Sequence, residues 1–186
     1  MIDSRNQKRV LALDVRPRSY GYVVFEGPER LLDWGVRSFR HGVNDVRVPR
    51  VKKLAALLEE FEPSVVMLRS VSSRSAKKPG KRMRISETFA EQARKRGIAV
   101  REIGSRAIRK ALGSADRLTK YQVACAVAER FPELAPRLPP KRKPWQSEDY
   151  RMSIFDAAAL GVAYFARRAK RVPNTSRENT APSQPT

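Results

Sequence analysis

Four short apolar segments occupy most of the first seventy residues, and their order leaves few folds open. Val10, Leu11, Ala12 and Leu13 form a run that ends at Asp14. A run of that length between turn residues reads as a buried strand. Arg16, Pro17, Arg18 and Ser19 make a turn, and Tyr20 to Glu26 reads as a second strand closed by Gly27-Pro28. Leu31 to Phe39 reads as a third, so three successive strands with tight connections predict an antiparallel meander. Val51, Leu54, Leu58 and Phe61 then recur at helical spacing until Pro63 stops the helix. Ser64 to Val71 is a fourth apolar strand. A β-β-β-α-β order predicts an α/β fold in which strand four lies beside strand one, with the helix on one face of the sheet.

The second half is less regular. Ser72 to Arg84 has no apolar period and is rich in Ser, Lys and Arg, so residues 72–84 read as a basic loop. A helix is expected from about Ser86 to Arg96, ended by Gly97, and Ile98 to Ile103 is a short fifth strand. Ser105 to Leu112 reads as a brief basic helix. Thr119-x-x-Gln122 is a capping box for a helix over Lys120 to Phe131. Pro132, Pro136, Pro139 and Pro140 predict an extended basic linker over 132–147, before a last helix from Asp149 to Arg168. The whole reads as a single domain over 9–170, with a polar lead over 1–8 and a disordered tail over 171–186.

Charge narrows the partners. Of 186 residues, 39 are Lys or Arg and 19 are Asp or Glu, a formal net charge of +20. Self-repulsion of that size calls for a polyanionic partner. No long basic amphipathic helix favours a membrane surface, so nucleic acid is expected. Between Arg69 and Lys110, fourteen Lys and Arg stand against three acidic residues. Such clustering marks a binding surface that includes Arg69, Arg74, Lys77, Lys78, Lys81, Arg82, Arg106 and Arg109. The N-terminus lacks the apolar stretch of a signal peptide, which makes a cytoplasmic, nucleoid-associated protein the expectation. One Cys (Cys125) and one His (His41) argue against an internal disulfide or a zinc site. Cys125 is expected in the core and His41 on the surface. Tyr20, Tyr22, Trp34 and Phe39 are expected to pack on the sheet, and Trp145 over its edge.

Two carboxylates carry the chemistry. Asp14 ends an apolar strand in the middle of the expected sheet, where an isolated charge needs a metal, a cation or backbone donors. The plain alternative is an Asx-turn. Asp156 lies in IFDAAALGVA, a helix of apolar and small residues that lets Phe155, Ala159 and Val162 pack on the sheet. Its plain alternative is a first-turn Asp favoured by the helix dipole. Two such carboxylates can share Mg²⁺ or Mn²⁺, and paired ions about 3.5–4 Å apart can stabilise a phosphodiester displacement.

LALDVRPRSYGYVVFE, LLDWGV, PSVVMLRSV and IFDAAALGVA, in this order, resemble the ribonuclease H-like superfamily, and within it the RuvC-type Holliday-junction resolvases. The resemblance spans Arg9 to Arg168. It implies a mixed five-stranded sheet of three antiparallel and two parallel strands with helices on both faces. It also implies Mg²⁺-dependent (or Mn²⁺-dependent) cleavage of branched or structured DNA in recombination and repair, and a homodimer. Asp14 takes the first-strand ligand position, Gly21 the glycine that opens strand two, and Asp156 the final-helix ligand position. Arg106, Arg109 and Lys120 fall where such enzymes hold phosphates, and Arg16 is a further candidate for nucleic-acid contact.

Several positions depart from the family pattern. Ser153 replaces the first acid of the final-helix pair, and Arg69 replaces the acid at the end of strand four. Arg16-Pro17 replaces a small turn. An Arg at position 69 repels Mg²⁺ and can instead pair with Asp14 or Asp156. Glu148, Asp149 and Glu102 are the acids that could stand in, although Asp149 and Asp156 on one helix are about 10.5 Å apart along its axis, against about 4.5 Å for Ser153 and Asp156. Two readings follow, a metal-dependent endonuclease and a degenerate relative that binds nucleic acid. Three or more carboxylates around one point would mark the first; two or fewer with Arg69 inserted would mark the second. A third reading, in which the basic surface docks an acidic protein, is separated from both by salt-dependent binding to DNA and RNA.

Overall fold

The computed structural model of the chain describes residues 8–39, 48–70, 80–113 and 118–170, with side chains from residue 51 in the second segment. His41, Arg74, Lys77, Lys78, the tail and nearly all of the polar lead lie outside the described residues. The elements run β1 (Arg9–Val15), β2 (Ser19–Glu26), β3 (Leu31–Ser38), α1 (Val48–Phe61), β4 (Val65–Arg69), α2 (Lys81–Lys95), β5 (Ala99–Ile103), α3 (Ser105–Ala111), α4 (Lys120–Arg130) and α5 (Met152–Ala169). The sheet order is β3-β2-β1-β4-β5. The first three strands pair antiparallel and β4 lies beside β1, as the apolar pattern predicts, and β4 and β5 join in parallel, as the family resemblance implies.

Strand periodicity divides the core. Along β1, Leu11, Leu13 and Val15 pack with Leu54, Leu57 and Phe89 of α1 and α2. Val10 and Ala12 pack on the opposite face with α3, α4 and α5. Side chains alternate across a strand, so Asp14 falls on the α5 face. In β4, Met67 belongs to the α5 side and Leu68 to the other, which puts Arg69 on the α5 face as well. Residues 152 to 163 of α5 are all buried, as befits a helix with no polar stripe.

One contact sets the depth of that helix. Gly21 pairs with Asp14 across β1 and β2 and faces α5. A Cβ built on it would lie 2.2 Å from the Ser153 carbonyl oxygen. Only the missing side chain lets the start of α5 sit against the sheet there.

Three boundaries differ from the sequence reading. Helix α2 begins at Lys81 rather than Ser86, so Lys81 and Arg82 are helical and not part of a loop. Its buried stripe starts only at Ile85, and the first turn carries no apolar signal. The proline segment is not extended throughout: Pro132–Arg137 form a 3-10 helix that buries Leu134. Helix α5 starts at Met152 rather than Asp149, because the Asp149 side chain accepts the backbone N–H of Arg151 and turns the chain first. The capping box of α4 forms as expected, with Thr119 accepting from the Gln122 N–H. Tyr20 packs edge-on to Phe89, with ring centroids 5.4 Å apart. Cys125 is only half-buried, and Trp145 is 78% exposed rather than packed.

Gly21→Ala is expected to cost about 3 kcal/mol or more in a urea melt, because the added methyl meets backbone that cannot rotate away. Gly104→Ala, with nothing within 4 Å of the new Cβ, should change stability far less.

Candidate functional site

Asp14 and Asp156 meet over the middle of the sheet, both nearly inaccessible at 1% and 5% exposure. Each is brought there by the geometry above: Asp14 by alternation along β1, Asp156 by the first turns of α5 seated on Gly21. Two like charges in so dry a place need compensation. Arginine supplies it. The Arg69 guanidinium donates to Asp156 Oδ1 at 2.7 Å and lies 3.5 Å from Asp14 Oδ1. Arg16 donates through Nε to Asp14 Oδ2 at 2.9 Å and through Nη2 to Asp156 Oδ2 at 3.1 Å. Arg82, from the first turn of α2, donates to Asp14 Oδ1 at 2.8 Å.

A third acid joins from outside. Glu148 accepts from Arg16 at 2.8 Å and from the Lys120 ammonium at 2.9 and 2.8 Å. The same ammonium stands 3.6 Å from Asp156 Oδ2. Four cations therefore face three carboxylates, leaving one positive charge on the cluster.

The protonation equilibria follow the surroundings. Burial and the neighbouring Asp14 push the Asp156 carboxyl above its ordinary value, and Arg69, Lys120 and Arg16 offset this only in part. Burial also pushes Glu148 up, but the Lys120 hydrogen bond and the charges of Arg16 and Lys120 outweigh it and hold the carboxyl below its ordinary value. Arg16 keeps its proton more firmly than a free guanidinium: burial works against it, and Asp14, Glu148 and Asp156 prevail.

Other residues expected at the site are occupied elsewhere. The Ser153 hydroxyl, fully buried, donates to the Tyr150 carbonyl at 2.7 Å. Asp149 is held by the Arg151 guanidinium at 2.8 and 3.0 Å. Glu102 is exposed on β5 across from Leu68. Arg106 and Arg109 stay on α3, and among the described residues neither pairs with the cluster. Arg106 lines an open groove of about 550 Å³ with Lys110, Arg167 and Lys170. Lys81 is exposed at the start of α2. Sequence reasoning missed two roles, Arg82 as a partner of Asp14 and Lys120 as a partner of Glu148. The available signal was a buried carboxylate with too few cations assigned to it.

This donor set does not fit Mg²⁺ or Mn²⁺. Such ions need carboxylate oxygens free to coordinate. Every carboxylate oxygen of Asp14 and Asp156 already takes an arginine proton. Glu148 meets the pair only through the cations Arg16 and Lys120, so the three acids do not gather around one point, and among the described residues no three His, Cys, Asp or Glu side chains are grouped to hold a metal ion.

No family model matches the sequence, and no curated protein sequence matches it. Solved structures do. RuvC of Thermus thermophilus in complex with a Holliday junction substrate superposes with a TM-score of 0.65 at 17% identity, covering 87% of this chain and 96% of that one. Thermus thermophilus RuvC in a second structure gives 0.64 at 18%, with the same coverage. The yeast mitochondrial Holliday junction resolvase Ydc2 gives 0.55 at 12%, covering 88% and 82%. The chain has the RuvC fold. Within that fold, Asp14 and Asp156 stand together as the sequence resemblance implies, and Arg69 sits between them.

Two outcomes test this electrostatic account. Arg69→Met should cost about 3–5 kcal/mol in denaturant melts, the penalty for leaving a buried ion partner unpaired; adding Asp156→Asn should recover much of it, since the two are coupled. A carboxyl whose folded value lies below its unfolded one binds fewer protons when folded, so it adds stability above the unfolded value and loses it on acidification. The stability advantage of wild type over Glu148→Gln should therefore be full above about pH 5 and shrink as pH falls below 4.5.

Proposed function

We propose that this protein binds branched DNA through the RuvC fold and a cationic rim, as a binding module that does not cleave by a divalent-metal route. The observation that carries this reading is the arginine cage, in which guanidinium groups saturate both central carboxylates. A hydrolytic site needs acids that can give up their partners to an ion or a water; here the partners are covalent parts of the chain.

The rim supports the binding half of the proposal. Lys120 keeps 57% of its side chain exposed and Arg82 keeps 37%, so a phosphate arriving at the cluster meets these two first. Lys120 also opens α4, where helix N–H groups favour an anion. The remaining positive charge of the cluster attracts the phosphate, and counterion release supplies the affinity. The two RuvC-fold proteins named above that act on or bind a Holliday junction make a four-way junction the first substrate to try. A homodimer is the fitting stoichiometry for a two-fold symmetric junction.

The competing reading is a Mg²⁺-dependent endonuclease resting on Asp14 and Asp156. One assay separates the two. With labelled four-way junction and matched duplex, the protein should shift the junction at lower concentration and leave it intact in Mg²⁺ and in Mn²⁺. Nicked product that disappears in EDTA and in Asp14→Asn would establish the enzyme instead. On the binding reading, Lys120→Ala should weaken affinity uniformly across sequences and reduce the slope of log affinity against log salt by about one.

A further inference from the structure

We propose that Trp145 and Tyr150 form a stacking platform for an unpaired nucleobase beside the arginine cage. The inference rests on the reading of the protein as a binder of branched DNA and says what it recognises at the branch. Trp145 is 78% exposed and Tyr150 is 64% exposed, the two large apolar side chains that the described residues leave open to solvent. Among the described residues, every other aromatic ring is at least partly buried. Exposed rings of this size cost hydration free energy and call for a ligand with an apolar face.

The segment that carries them is held firmly. The Gln146 N–H donates to the Lys143 carbonyl at 3.0 Å, and the Lys143 N–H donates to Gln146 Oε1 at 3.0 Å. These two bonds close a turn with Trp145 inside it. Three residues on, Glu148 is tied to Lys120 and Arg16 of the cage. Three residues span at most about 10–11 Å of chain, so Trp145 stands close to the cluster where a phosphate would dock. The Tyr150 backbone is held through its carbonyl, which accepts the Ser153 hydroxyl. A backbone already ordered lowers the conformational entropy lost when a base lands on the rings it carries.

Charge selects the occupant. Lys141, Arg142 and Lys143 precede Trp145, and Arg151 follows Tyr150. The Lys143 ammonium lies 5.6 Å from the Trp145 ring centroid, in cation–π range. An apolar protein surface would have to desolvate these cations. A nucleotide offers a flat base to the ring and a phosphate to the lysines, the pairing that single-strand binders use. Bases inside a duplex are already stacked, so the platform takes bases freed at a fork or a branch point.

The test uses the full chain and the fluorescence of Trp145. Oligo(dT) and a forked duplex with unpaired arms should quench it, and a closed hairpin duplex should not. Trp145→Phe should remove the quenching yet keep most of the affinity, because phenylalanine still stacks. Trp145→Ala should weaken binding to the fork about tenfold or more while leaving hairpin affinity unchanged, on the scale of one lost stacking partner. An unchanged melting temperature would confirm that this exposed position leaves the fold intact. If wild type binds the fork and Trp145→Ala binds it equally well, the platform is overturned and the DNA-binding reading stands. If wild type binds no nucleic acid, both fall. If Trp145→Ala instead abolishes self-association in sedimentation runs, the surface belongs to a second copy of the chain and the platform is likewise overturned.

Discussion

The bridge that Arg69 makes between Asp14 and Asp156 is the interaction on which the arrangement of this molecule turns. Two carboxylates at 1% and 5% exposure repel one another and lose their hydration. They coexist because a guanidinium with donors on two edges can reach both at once. Lysine, a point charge on a flexible stem, could not span them in the same way. Arg16 repeats the bridge on the other oxygen of each carboxylate, so two guanidinium forks hold the pair. Much else serves this contact. The register that sets Gly21 opposite Asp14 lets α5 come close, and the crossover that lays β4 beside β1 delivers Arg69 to the same face.

Energetically the cluster is graded from inside to outside. Its deep members are the two aspartates; Arg16 and Arg69 are one-fifth exposed, and Lys120 is more than half exposed. The inner pairs are shielded from salt and set the structure, whereas the outer cations remain available to a polyanion. One cluster can thus hold the fold together and present a positive face. This grading links the core to the proposed nucleic-acid surface, with Glu148 as the tie that carries the Trp145 turn into register with both.

Much of this was legible in the sequence because strands announce themselves by period. VLALD followed by YGYVVFE and LLDWGV fixes three strands and their hydrophobic faces, and the convergence of Asp14, Arg69 and Asp156 follows from alternation and the helix that packs across it. The polar parts were harder. The first turn of α2, Lys81 to Arg84, offers no buried residue and reads as loop, so the role of Arg82 stayed hidden. Ser153 and Asp149 looked available to the site, but local hydrogen bonds to Tyr150 and Arg151 claim them, and such short-range competition leaves no periodic trace. The 3-10 turn at Pro132–Arg137 was masked by its prolines, which suit an extended chain and a tight helix equally.

The spacing of the ion partners along the chain has a bearing on synthesis. Arg16 and Asp156 are separated by 140 positions, and Arg69 and Asp156 by 87. Among the described elements, the strand bearing Asp14 leaves the ribosome first and the helix bearing Asp156 last. Until that helix emerges, the nascent sheet holds an acid and two arginines without their final counter-ion. Closure of the centre therefore waits for α5, long after both arginines have been made.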